Sequence, residues 1–173
     1  MSNSLEDGWA ERVAALDARL APIAYRKVDI SDPRWVANLR AMRPLDEAGV
    51  RTEAEALVQE LLEAYGVGDD SGRSFIRGLF RTHGAFAWAA GPPGPRTTPE
   101  GLRLRLLHFS VLDQGGDPRD AKLSLDSIVT DAREGGIDVD GTLAAVAELS
   151  SSEDRWGWGP TRDWLLERLS RKA

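Results

Sequence analysis

The chain has 173 residues, a net charge of −6, a pI near 5.0 and no cysteine, with 42% hydrophobic and 29% charged residues. That balance is globular rather than disordered, and the length suits one domain, 1–173, with a sizeable core. The acidic charge argues against nucleic acid or an anionic membrane as the main partner, and the absent cysteine excludes disulfides, thiol catalysis and thiolate-held metals.

Residues 4–21 repeat Trp9, Val13, Leu16 and Leu20 at helical spacing, and Pro22 is expected to close that helix. The N-terminus carries no basic-then-apolar signal segment, and no apolar run nears the ~18 residues of a membrane span. A cytoplasmic protein is therefore expected. Residues 22–31 read as extended chain or a short strand. Asp32-Pro33 pairs an N-cap with a proline at the first helical position, and the short helix after it stops before Pro44.

The clearest helix spans 52–65, where Ala54, Leu57, Val58, Leu61, Leu62 and Tyr65 share one stripe and Gly66 stands as its stop. Asp69, Asp70 or Ser71 caps the next helix, which packs Phe75, Ile76, Leu79 and Phe80. Thr82-His83-Gly84 loosens it, and one more turn follows around Trp88. The run Gly91-Pro92-Pro93-Gly94-Pro95 breaks the chain. It is too short for a flexible linker and reads as a stiff crossover at 91–96 between helix groups 4–90 and 97–172.

Thr97-Thr98-Pro99-Glu100 reads as a capping box. The following Leu102-Arg103-Leu104-Arg105-Leu106 alternates like a strand. Its cap and its continuation through Leu107, Phe109 and Val111 favour a central helix, apolar on most sides. Asp117-Pro118 starts another helix, with Ala121, Leu125, Ile128, Val129 and Ala132, ended by Gly135-Gly136. Asp140 is expected to cap the next. Pro160-Thr161 opens the last, with Trp164, Leu165, Leu166 and Leu169. The fold class predicted is all-α, a compact bundle of about eight helices. HEAT-like helix pairs and an irregular bundle both satisfy the pattern.

Motifs for chemistry are weak. Asp138-Val139-Asp140-Gly141-Thr142 matches the nucleophile motif of haloacid-dehalogenase-type phosphatases, but it follows Gly135-Gly136 rather than a buried strand, and too little chain remains for that fold. It reads instead as a helix start. His83 and His108 lack the spacing of a zinc helix, no G-x-S-x-G is present, and Gly66–Gly72 lacks the lysine of a phosphate loop. No metal set, cofactor site or catalytic set is therefore read. Two loops keep binding potential. One is Asp113–Asp120, whose carboxylates, amide and arginine mostly serve as helix caps. The other is Arg155-Trp156-Gly157-Trp158-Gly159-Pro160-Thr161-Arg162, where two indoles sit on a glycine-rich turn.

Several stretches carry a resemblance. They are Phe86–Ala90, Thr98–Gly101, Leu107–Gly115, Asp117–Ala121, Leu149–Ser151 and Gly157–Leu166. Together they resemble a group of small bacterial all-helical proteins with no established activity, over roughly residues 55–167. The resemblance implies a bacterial, helical, cytosolic protein and supplies no catalytic residues. The expected function is a non-enzymatic module that binds another protein, such as an immunity or accessory protein of a toxin or defence system. Its surface would join Arg119, Asp120, Arg155, Trp156, Trp158 and Arg162, with indoles as anchors and arginines as carboxylate-binding forks. The alternative is a small-ligand-binding protein or enzyme with a polar pocket between helices, built from His108, Asp113, Asp117 and Arg119.

Overall fold

The computed structural model describes residues 4–24, 31, 33, 47–89, 95–112, 122–142, 144 and 158–171. Among them lie seven bounded helices and no strand: α1 (Ser4–Ala24), α2 (Glu47–Val67), α3 (Asp70–Thr82), α4 (Gly84–Ala89), α5 (Pro99–Val111), α6 (Lys122–Gly135) and α7 (Trp158–Ser170). The protein is all-α, as its apolar spacing predicts. Residues 139–142 open a further helical stretch. The expected extended segment at 22–31 and the helix before Pro44 fall largely outside the described residues.

The chain divides into two compact units. Unit 1 joins Met1–Val58 to Leu79–Gly91, and unit 2 joins Gln59–Gly78 to Pro92–Ala173. The dividing lines pass inside α2, inside α3 and within the Gly/Pro run that was read as a crossover.

In unit 1 the inward stripe of α1 is Trp9, Val13, Leu16 and Leu20, all buried. α1 packs against α4, whose Ala85, Phe86 and Ala87 are buried. The Phe80 and Phe86 rings lie 5.5 Å apart, tilted by 60°, a favourable edge-leaning geometry. Asp17 of α1 accepts a hydrogen bond from the Phe86 backbone N–H at 2.9 Å. That donor, in the first turn of α4, has no partner within its own helix, so a side chain of another helix supplies the cap. The His83 ring, in the one-residue break between α3 and α4, holds Nδ1 3.7 Å from the same carboxylate. Pro22 does not close α1; the helix runs on to Ala24. Proline there removes the bond to the Ala18 carbonyl and crowds it, and the helix runs only two residues further.

α2 starts at Glu47, five residues before the predicted 52, and carries Gly49 in its first turn, where a glycine costs least. Gly66 is not its stop but lies inside the last turn, against Arg103 and Leu107. The predicted stripe on α2 is fully realised: Ala54, Leu57 and Val58 are buried in unit 1, and Leu61, Leu62 and Tyr65 in unit 2. Of the candidate caps for α3, Asp69 takes the role and accepts from Gly72 N–H at 2.9 Å.

The centre of unit 2 is α5. Leu102, Leu104, Leu106, Leu107, Phe109 and Val111 are buried, together with Gly101 and His108. Its alternating leucines resolve as a helix enclosed on nearly every side. Its cap sits one residue later than the predicted box. Thr98 has extended backbone and its hydroxyl accepts from Gly101 N–H at 3.1 Å, while Pro99 fills the first turn. Glu100 therefore does not reach back to the cap but binds Arg103 at 2.8 Å. The turn ahead of α5 is pressed close to two helices. A Cβ on Gly101 would lie 2.0 Å from the Pro95 carbonyl oxygen, and one on Gly135 2.3 Å from that of Thr97. Both positions are closed to any side chain.

α6 packs on α5 and on α7, burying Ile128, Val129 and Ala132. It ends as predicted at the glycine pair. Gly136 takes φ +58, its N–H bonds to Arg133 O, and Ile137 N–H bonds to Ala132 O, which together form a Schellman cap. One ion is almost wholly enclosed: Arg77 of α3 is 6% exposed. Its Nη2 donates to the Tyr65 hydroxyl at 2.7 Å, its guanidinium lies 5.6 Å from the Tyr65 ring centre, and that hydroxyl is 3.3 Å from Ser110 Oγ. No helix among the described residues is long and apolar enough to cross a membrane.

Candidate functional site

α7 carries the part of the predicted surface that the structure describes. The helix begins at Trp158, two residues ahead of the predicted Pro160-Thr161 start. Proline fits there because a first-turn residue needs no backbone donor. Trp158 thus belongs to the helix rather than to the glycine-rich turn, and Arg162 follows one helical turn later. Arg119, Asp120, Arg155 and Trp156 lie outside the described residues, as do Asp113 and Asp117 of the alternative pocket. His108 of that pocket is 9% exposed on the enclosed α5. So the structure brings Trp158 and Arg162 onto one helix and leaves the rest of the predicted set undrawn.

The other end of α7 holds a feature not anticipated from the sequence. A groove of about 300 Å³ lies where the C-terminal ends of α6 and α7 meet the start of the 139–142 helical stretch. Ala132, Ile137, Val139, Leu166 and Leu169 supply its apolar lining, and Asp138 and Asp140 stand exposed at its rim. Asp138, rather than the predicted Asp140, caps the new helical stretch, and its Oδ1 accepts from Gly141 N–H at 3.3 Å. The Thr142 hydroxyl donates to Asp138 O at 3.0 Å. The phosphatase-like string is therefore a helix start, as its context predicts. The signal for the groove lies in Leu166 and Leu169, three apart on the last helix, which the sequence shows as apolar without showing what they face.

Arginines around this end are committed to other groups. Arg133 of α6 donates Nη2 to the Arg168 and Arg171 carbonyls, the second at 2.7 Å. It so satisfies last-turn acceptors of α7 and sits at the negative end of that helix. Arg168 binds Asp126 at 2.8 Å and stacks over Trp164 at 5.4 Å, and Arg171 pairs with Glu167. Nearer α5, Arg103 bridges Glu63 at 2.6 Å and Glu100 at 2.8 Å. Its hydrogen bond holds the Glu100 carboxyl below the usual range, and the two carboxylates push the Arg103 guanidinium further up.

Among the described residues, no group of three histidines or carboxylates is placed to hold a metal ion. No protein-family model matches the chain, and no curated protein or solved structure matches it either.

Proposed function

We propose that the chain is a non-enzymatic interaction module that binds another protein. Trp156, Trp158, Arg155 and Arg162 are its proposed contact segment, and Arg119 and Asp120 are the further residues of the proposed surface. The observation that supports this reading most is the spacing of Trp158 and Arg162, one turn apart at the start of α7. Tryptophan and arginine are the residue types most enriched among interface hot spots. The ionic inventory agrees. Arg103, Arg105, Arg133 and Arg168 each tie one helix to another, which is the work of a scaffold rather than of a reacting centre.

A cytoplasmic bacterial setting suits the small acidic chain, and so does a role as an immunity or accessory protein beside a toxin or defence system. The charge of −6 disfavours a phosphate backbone as partner. The test is affinity capture from the native cell with mass spectrometry, using the full chain and the Trp156→Ala/Trp158→Ala variant. Selective loss of one captured protein by a folded variant supports the reading. Equal recovery of the same protein by both chains sinks it.

A further inference from the structure

We infer that the groove between the ends of α6 and α7 takes a basic amphipathic segment of a partner protein, with an apolar side chain seated on Leu166, Leu169 and Ile137 and a cationic one at Asp138 and Asp140. This extends the interaction reading to a second place on the chain and rests on that reading only for the partner being a protein.

The volume of about 300 Å³ is room for an anchor side chain and its neighbour. Its lining leucines and isoleucine are half-exposed rather than buried, so an anchor would remove apolar surface from water. Two carboxylates and one guanidinium line it, so negative charge is in excess. Two helix C-termini, at Gly135 of α6 and Ser170 of α7, point their carbonyl ends toward this part of the fold. Asp138 and Asp140 add two carboxylates, and among the described residues no cation pairs with either. Arg133, the cation in the lining, turns its Nη2 to the carbonyls of Arg168 and Arg171 rather than to either carboxylate. Arg168 and Arg171 are paired with Asp126 and Glu167. A partner cation therefore meets two carboxylates that no arginine among the described residues pairs with, beside an apolar floor. An acidic segment would meet repulsion at the same rim.

The experiment uses the full chain and a fluorescein-labelled amphipathic peptide of leucine and lysine, with a second peptide carrying glutamate in place of lysine. Binding is read by anisotropy. The lysine peptide should bind roughly tenfold or more tightly than the glutamate peptide. Asp138→Asn/Asp140→Asn should weaken it about fivefold, because two rim ion pairs are lost while asparagine keeps the cap. Leu169→Ser should weaken it by a similar factor through the lost apolar floor. Glu11→Gln/Glu55→Gln makes the same change of net charge in unit 1 and should leave binding unchanged. Equal binding of the two peptides, or equal weakening by the distant pair, overturns the inference. Circular dichroism melts confirm that each variant is folded. The Trp156→Ala/Trp158→Ala chain should keep full peptide binding, so failure of the contact segment and failure of the groove are read separately.

Discussion

Arg105 of α5 and Asp131 of α6 form an ion pair whose side chains are only 14% and 15% exposed, and Ser127 accepts a second bond from the same guanidinium at 3.2 Å. Such a pair is costly to half-remove, because the survivor keeps its charge in a poorly hydrated place. Asp131→Ala should destabilise the fold by about 2–3 kcal/mol in urea melts, and Arg105→Met/Asp131→Leu by clearly less. If the double variant is as weak as the single one, the interpretation of the pair as a desolvated unit fails.

Glu100 gives a pH dependence with a definite sign. Arg103 holds its carboxyl below the ordinary value of 4.5. The folded state therefore gains from this group above that value and loses the gain as pH falls through the depressed one. The effect is small, since Glu100 is 59% exposed on its side chain. Arg103→Met should return the Glu100 titration toward 4.5 in a carboxyl carbon NMR experiment, and the stability gap between the two chains should narrow on acidification.

Two glycines should respond in opposite directions to alanine. Gly136 holds φ +58, so Gly136→Ala should cost about 1 kcal/mol through left-handed strain. Gly78 lies inside α3 with open space where a Cβ would stand, so Gly78→Ala should gain about 0.5–1 kcal/mol. Paired thermal melts check both, and a loss at Gly78 would contradict the open space around it.

Tyr65→Phe should cost about 1.5–3 kcal/mol, the usual loss when a buried charged donor forfeits an acceptor. The hydroxyl is what Arg77 Nη2 reaches at 2.7 Å, and Tyr65 itself is 1% exposed. A change near zero would mean that this hydrogen bond is not what holds Arg77 in place.

Local periodicity made much of the fold legible. The stripes of α1 and α2 are sums of many apolar choices at one spacing, so no single misread residue could hide them. The enclosed α5 was legible for a different reason: its leucines leave no polar face to give to water. Caps were harder. Thr97 and Thr98 are equally able to cap, and the choice fell to Thr98 because Pro99 then occupies the first turn. Likewise Asp138 and Asp140 are both competent, and the Schellman turn at Gly136 brings the earlier one to the helix start. Arg77 was not legible, because its acceptor Tyr65 stands on another helix and arginine is ordinarily a surface residue. Arg133 escaped for the same reason, since its acceptors are backbone carbonyls far along the chain. At the contact segment, the sequence named residue types, while the start of α7 at Trp158 depended on how far a helix extends ahead of Pro160.

The order in which the units occur along the chain has a consequence for biosynthesis. Unit 1 is not complete at Val58; it waits for Leu79–Gly91, which leave the ribosome after Gln59–Gly78 of unit 2. A nascent chain halted between these points therefore exposes the apolar stripe of α1 without its α4 counterpart, and any single proteolytic nick or truncation that keeps one unit whole carries a piece of the other along with it.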